Sequence, residues 1–411
     1  MTSSTVTRVP GHATGHPALR RLVVDPEGFA REVWGTAALM TSAADLRRDV
    51  SDLFDEAAVD ELVSRRGLRT PFIRVAQDGS TLATRDFTSG GGVGAGIVDQ
   101  VDDSKLSALF ADGSTLVLQA LHRTWPPLID FSQQLASELG HPVQVNAYVT
   151  PPQSRGFDDH YDVHDVFVLQ VSGRKRWRIH EPVHHAPLRD QPWTDRREAV
   201  AEAAEAPPVI DEVLEPGDCL YLPRGYLHAA TALGDVSTHL TFGVHNWTRH
   251  ALARTMLDRA LLDLAGDFDV RTSLPLGVHV GDPSDVAPDV ELVRARLLQA
   301  IGNLSSDEVA AALASTSTAS GRPEPVGPLA QLKVAQTLEP ETELVLRLHL
   351  EARLETHDDG VRLTTRAGAL DLGPEDATAV EVLLAGDPVA AGTLGLDLAR
   401  RLLRSGVVMA T

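Results

Sequence analysis

Cysteine is almost absent from the 411 residues, with Cys219 standing alone. An internal disulfide is therefore impossible, and the chain suits a reducing compartment such as the cytoplasm. Lysine is nearly as scarce. It occurs at Lys105, Lys175 and Lys333, and every other basic residue is arginine. No apolar run approaches the roughly 20 residues of a membrane-spanning helix. The opening stretch MTSSTVTRVPGHATGHPALRR is polar and lacks the apolar segment of a secretory leader. Positive charge is in deficit, with 37 basic residues against 57 acidic ones. That balance argues against general nucleic-acid binding, which needs a basic face. It attracts a basic protein or peptide partner, or it serves only solubility.

What is present is enough apolar residue for a sizeable core, at a length of two or three domains. Residues 1 to about 142 mix helices and short strands. Ala44 to Arg65 reads as a helix, because Leu46, Val50, Leu53, Phe54, Val59 and Leu62 recur at three or four residues. Phe131 to Leu139 reads as another, ended by Gly140. From 143 to 248 the pattern becomes strands and turns. Val143 to Val149 alternates until Pro151-Pro152. His160 to Val171 and Arg174 to Ile179 flank Ser172-Gly173, which predicts a hairpin. Cys219 to Leu222 and Thr238 to Val244 follow. Many short strands with Gly/Pro turns predict a β-barrel or sandwich.

Residues 249–318 read as helical. Arg249 to Leu264 and Val290 to Leu304 are amphipathic, and Ser305 to Glu308 has the capping-box form S-x-x-E. Ser315 to Pro325 reads as a linker. Residues 319–411 mix strands (Val361 to Thr365, Ala369 to Leu372) with helices (Glu375 to Leu384, Leu396 to Ser405), an order resembling a small winged-helix unit. From Gly321 onward 14 acidic residues outnumber 9 basic ones, so a DNA-reading role is disfavoured.

The chemistry concentrates in two segments. The first is Gly156-Phe-Asp-Asp-His160-Tyr-Asp162-Val-His164. On a strand, His160, Asp162 and His164 share one face. A His and an Asp two apart grip one metal from adjacent corners. The second segment, Gly217 to His228, has the form G-x5-P-x-G-x2-H. Its Pro-x-Gly bend aims His228 inward. Two His and one carboxylate make the facial set that leaves open positions on Fe(II). On the strand Arg174 to Ile179, Lys175, Trp177 and Ile179 share one face. Their apolar company makes that face the inner one. A buried ammonium needs an anion, and the distal carboxylate of 2-oxoglutarate would supply it. The alternatives are an internal Asp or Glu, or snorkelling to solvent.

These residues together resemble the JmjC ribosomal oxygenases of the cupin-like type. The resemblance is carried by Asn146-Ala-Tyr148, His160-Tyr-Asp162, Gly173-Arg-Lys175-Arg-Trp177, Pro216 through His228, and Ser237-Thr-His239-Leu-Thr241. It covers about 100 residues. It implies a mainly β double-stranded β-helix core in a catalytic domain of 1–248, a helical dimerisation region at 249–318 and a winged-helix-like domain at 319–411. It implies Fe(II) on His160, Asp162 and His228, with Lys175 anchoring 2-oxoglutarate and dioxygen as the second co-substrate. Tyr148, Thr241 and Asn146 fall where the family places polar helpers, or they complete core hydrogen bonds. His164 and His239 either line the substrate pocket or are structural. Trp34-Gly-Thr-Ala-Ala-Leu39 departs from the family's Trp-x-x-x-Pro-Leu segment.

The implied activity is hydroxylation of a protein side chain, with a basic ribosomal protein as partner. Hydroxylation of a biosynthetic peptide is the alternative within this class. A cupin metal enzyme that does not use 2-oxoglutarate, and a scaffold without activity, are the others. Such a metal enzyme has no need of an inward Lys175, and a scaffold has no need of all three ligands.

Overall fold

The computed structural model describes residues 15–47, 49–77, 79–154, 157–357 and 360–411. Most of the polar opening stretch, and Gly156 in the first metal segment, lie outside these residues. The chain divides between Asn246 and Trp247.

The first unit is built on a nine-stranded antiparallel sheet. Its strands are β1 (Leu39–Thr41), β2 (Ile73–Gln77), β3 (Ser80–Thr81), β4 (Thr115–Leu118), β5 (Val143–Thr150), β6 (Asp165–His180), β7 (Ile210–Leu214), β8 (Cys219–Leu222) and β9 (Leu227–Val244). The path runs β1-β8-β6-β9-β5-β4-β2-β3, with β7 also paired to β6. The two longest strands, β6 and β9, pair along their whole length. The first half of β6 also pairs with β8 and its second half with β7. This is a mainly β double-stranded β-helix core.

The expected hairpin at Ser172-Gly173 is not formed. β6 is one continuous strand through both residues. Gly173 adopts φ 63°, and the register of β9 slips opposite it, between Leu233 and Thr238. A Cβ at Gly173 would lie 2.0 Å from the Val236 carbonyl oxygen. The glycine therefore permits a bulge that bends the strand without breaking its pairing.

Both faces of β6 are covered, which explains its unbroken apolar run. Phe167 and Leu169 join a large cluster with Leu62, Leu128, Leu135 and Phe242. Val166 and Val168 face the other way, beside Trp177, Ile179, Leu220 and Leu222. The helix Pro126–Leu139 packs on the large cluster and stops at Gly140, φ 68°. The expected helix Ala44 to Arg65 is broken. A turn at Ala43–Leu46 ends on Arg47 at φ 49°. A new helix, Glu56–Arg65, starts where Asp55 caps the Ala58 N–H at 2.7 Å. The apolar residues of that stretch are buried as the periodicity requires, from both sides of the break.

In the second unit, helices Arg249–Leu264, Pro283–Asn303 and Ser306–Ser320 come first. The capping box forms between Ser305 and Glu308. The helix after it runs to Ser320, so the expected linker at Ser315 starts later. Its Ala-rich first half carries the helix into the Ser/Thr run, and the Thr316 hydroxyl bonds the Ala312 carbonyl. Two three-stranded sheets follow. They enclose a core that includes Leu344, Leu363, Val380, Leu383 and Leu402.

Candidate metal and co-substrate site

His160 lies before the sheet proper, since β6 begins only at Asp165. Strand alternation therefore does not explain how it is aimed. His160 instead forms an isolated bridge with His228: the His228 N–H donates to the His160 carbonyl at 2.8 Å, and the His160 N–H returns the bond at 3.3 Å. The Gly225 N–H donates to the Asp162 carbonyl at 3.0 Å. The Pro223-x-Gly225 bend thus holds both the His228 end and the Asp162 end.

The three side chains converge. Each offers a ligand atom, and these atoms lie within 4.8 Å of one another. The imidazoles are 4.3 Å apart between centroids, and His228 Nε2 is 3.8 Å from Asp162 Oδ2. His160 Nδ1 faces the Asp158 carbonyl at 2.6 Å, and His228 Nδ1 faces the Tyr226 carbonyl at 3.1 Å. A carbonyl only accepts, so both Nδ1 atoms carry hydrogen. Both Nε2 lone pairs are then free for a ligand, the usual arrangement of metal-binding histidines. Burial pushes the His228 pKa down to about 4, and His160 adds to that. Burial alone would raise the Asp162 carboxyl. His164, His228, His160 and Arg74 outweigh it and hold the group below 3.8. A neutral His228 imidazole and an ionised Asp162 carboxylate are forms that bind a divalent ion.

A cavity of about 250 Å³ opens from the triad. Lys175, Tyr148, His239 and Thr241 line it. Lys175 is 3% exposed and, among the described residues, has one hydrogen-bond partner, Thr150 Oγ1 at 3.0 Å, for its three N–H groups. Burial lowers its pKa from 10.5 to about 7. The alternation read from Arg174 to Ile179 is present: Lys175, Trp177 and Ile179 are buried, while Arg174 and Arg176 are exposed. Arg176 pairs with Asp211 instead, at 2.6 Å. Tyr148 stacks on His239 at 4.9 Å. Burial, then the Asp162 charge, pushes the Tyr148 hydroxyl up to about 12. Burial, then Lys175 and His228, keeps His239 neutral. The lining groups Arg74 Nε, Trp177 Nε1 and His239 Nδ1 are buried with no hydrogen-bond partner among the described residues. Buried donors left unpaired are costly. A dicarboxylate bound between the triad and Lys175 supplies acceptors of the kind they lack, so the residues present fit both the ion and the co-substrate.

Two expected residues sit apart from this cavity. The Asn146 side-chain oxygen accepts from the Ala120 N–H at 3.0 Å, where Ala120 adopts φ 56°. His164 meets Gln144 at 3.3 Å and packs on His245 at 5.5 Å. Neither lines the cavity. Lining residues that were not foreseen include Arg74, Phe157 and Trp193. Arg74 lies between buried Ile73 and Val75 on β2, where alternation alone would send it to solvent. Trp193 carried the better signal, as a large aromatic in a segment otherwise rich in Pro and polar residues.

Residues 123–252 match the family model of the JmjC domain. The bifunctional lysine-specific demethylase and histidyl-hydroxylase NO66 of Drosophila erecta is 46% identical over 137 residues, 33% of this chain and 20% of that protein. Ribosomal oxygenase 1 of Gallus gallus is 30% identical over 256 residues, 61% of this chain and 40% of that protein. The chain thus spans between a fifth and two-fifths of these relatives. The Escherichia coli ribosomal oxygenase YcfD superposes with TM-score 0.57 at 19% identity, over 95% of this chain and 99% of that one. A further structure of that protein holds cobalt and 2-oxoglutarate, with TM-score 0.53 at 17% identity and the same coverage. At such identity the likeness is one of fold.

Proposed function

We propose that this chain, which carries a JmjC domain, is an Fe(II)- and 2-oxoglutarate-dependent dioxygenase that hydroxylates a protein side chain, with a basic ribosomal protein as substrate. One observation carries the reading: an inward lysine with too few acceptors shares a cavity with a His-Asp-His cluster. A metal site alone needs no such lysine. A co-substrate with a distal carboxylate does.

In this reading His160, Asp162 and His228 hold the metal through Nε2, a carboxylate oxygen and Nε2. Fe(II) held there would let dioxygen oxidise 2-oxoglutarate to succinate and carbon dioxide, one oxygen atom going to succinate and the other to a substrate C–H bond as a hydroxyl. The chain supplies position. Lys175, itself held by the Thr150 hydroxyl, anchors the far carboxylate. Tyr148 and Thr241 offer hydroxyls along the wall. Trp177, Val166 and Val168 keep that wall dry, which strengthens each polar contact inside it. A solved YcfD structure that holds cobalt and 2-oxoglutarate supports a metal and this co-substrate in a fold of this kind.

The relatives' names point to a ribosomal or histidyl protein target, and the charge of −20 suits a basic one. The second unit suits a homodimer. Among its described residues the 21-residue helix Pro283–Asn303 buries none, and Leu257, Leu261 and Leu298 are exposed. The buried thiol of Cys219 suits work in the cytoplasm.

The test is turnover of 2-oxoglutarate to succinate by the purified protein with Fe(II). Mass spectrometry of ribosomal proteins from cells lacking the gene, before and after treatment, would follow. A gain of one oxygen on a ribosomal protein supports the reading. Metal-loaded, folded protein that releases no succinate with such proteins refutes it. Hydroxylation only of a small peptide would shift the substrate class.

A further inference from the structure

Asp165 opens β6 and is 0% exposed, yet it does not line the metal cavity. A buried carboxylate is tolerated only when donors meet its oxygens. Here the two oxygens serve different parts of the chain. Oδ2 accepts from the Tyr221 hydroxyl at 2.7 Å and from Asn246 Nδ2 at 3.0 Å. The Tyr221 hydroxyl in turn accepts from the Gly35 N–H at 2.8 Å. That side ties the core of the first unit together. Oδ1 accepts from the Arg224 backbone N–H at 3.0 Å, with the Arg224 guanidinium 3.6 Å away.

Arg224 is the middle residue of the Pro223-x-Gly225 bend. The next N–H in that bend, of Gly225, donates to the Asp162 carbonyl at 3.0 Å. Two consecutive N–H groups therefore grip the segment 162–165, one at each end. The His160–His228 bridge closes the other side. The bend itself has little room to shift. Gly225 adopts φ 96°, and a Cβ there would lie 2.5 Å from the His184 carbonyl oxygen.

We infer that Asp165 is a positioning residue for the metal site: Oδ1 fixes the bend that sets His228 against Asp162. The inference rests on the metal reading of the His-Asp-His cluster. With Oδ1 gone, the Arg224 N–H must find another acceptor, and the bend turns to reach it. A ligand set works only when held to within about half an ångström. Loss of a group that orients ligands costs roughly ten- to a hundredfold in metal affinity. The two oxygens separate this role from plain stability, because Oδ2 can be deprived of its partner while Oδ1 keeps its own.

The test measures Mn(II) affinity of the full chain by calorimetry, the visible absorption of bound Co(II), and urea unfolding of the metal-free protein. Asp165→Ala removes both acceptors. It should weaken Mn(II) binding by roughly ten- to a hundredfold and shift the Co(II) bands. Asp165→Asn loses the formal charge, but its amide can turn its oxygen to Arg224, since the Tyr221 hydroxyl accepts as well as donates. It should restore Mn(II) affinity to within about threefold of the parent. Tyr221→Phe empties part of the Oδ2 side only. It should lower the urea midpoint and leave the Mn(II) affinity and the Co(II) bands as they are. Parent-like metal binding by Asp165→Ala overturns the inference. So does a Tyr221→Phe protein that loses as much affinity, since the ligands would then answer to the stability of the fold. Asp165→Asn as weak as Asp165→Ala overturns it too, since the charge and not the acceptor would matter. Where circular dichroism shows Asp165→Ala unfolded, Asp165→Ser takes its place, its hydroxyl being one bond shorter than the carboxylate. Failure of both to fold overturns the inference, because Asp165 would then serve the fold as a whole. A parent protein that takes up no Mn(II) is a distinct outcome: it sinks the metal reading, and this inference with it.

Discussion

Replacing Lys175 with Met should make the protein more stable and at the same time unable to hold 2-oxoglutarate. The side chain is 3% exposed, and burial lowers its pKa from 10.5 to about 7. Each tenfold in proton affinity is worth about 1.4 kcal/mol, so the buried ammonium costs up to about 5 kcal/mol. The sign follows from linkage. Between pH 7 and 10.5 the unfolded chain holds this proton more tightly than the folded one, so this group makes stability rise with pH. Its cost is full below about pH 7 and gone above the unfolded value. Met fills a similar volume without the charge. The Thr150 hydroxyl loses its lysine partner but keeps the Thr115 hydroxyl at 3.2 Å, a loss of about 1 kcal/mol. Urea denaturation of the metal-free variant should therefore show a gain of roughly 2–4 kcal/mol near pH 6, shrinking steadily towards pH 10. Calorimetric titration of the Mn(II)-loaded variant should show 2-oxoglutarate binding weaker by about 2–5 kcal/mol, at least thirtyfold, because a buried charge pair has lost one member. A variant that is less stable without ligands, or that binds the co-substrate within about threefold of the parent, would refute the placement of Lys175 as an unpaired inward cation.

Further outcomes follow from the same geometry. Asp162→Ala and His228→Ala should each weaken Mn(II) binding by at least about a hundredfold, read by calorimetry with circular dichroism as a check on folding. His164→Ala should weaken that affinity far less, by no more than about tenfold, because the side chain meets Gln144 and His245 outside the cavity lining and acts on Asp162 only through its charge; a hundredfold loss would place it in the ligand set. Gly173→Ala should cost roughly 2–4 kcal/mol in urea denaturation, since the new Cβ would sit 2.0 Å from the Val236 carbonyl oxygen at a φ of 63°. Sedimentation should show a dimer that Leu261→Glu with Leu298→Glu turns into monomers. A monomeric parent would end the dimer proposal.

The sequence by itself determined the faces taken in the second half of β6. Period-two alternation set Lys175, Trp177 and Ile179 inward and Arg174 and Arg176 outward. The Pro-x-Gly spacing put His228 at the start of a strand. The apolar positions near Leu46 and Leu62 were buried even though the helix through them breaks. These features are local, because they depend on backbone period and on residues a few positions apart. The tertiary structure alone decided how distant segments meet. His160 is aimed by its bridge to His228, not by the strand that follows it. Ser172-Gly173 bends one long strand where a turn was expected, because β9 stays paired on both sides of the bulge. Arg74 and Trp193 reach the cavity from segments with no periodic relation to the metal motif. Asn146 was drawn instead to the Ala120 N–H. A chain's local pattern fixes which way a side chain points. Only the packing of strands against one another fixes what it points at.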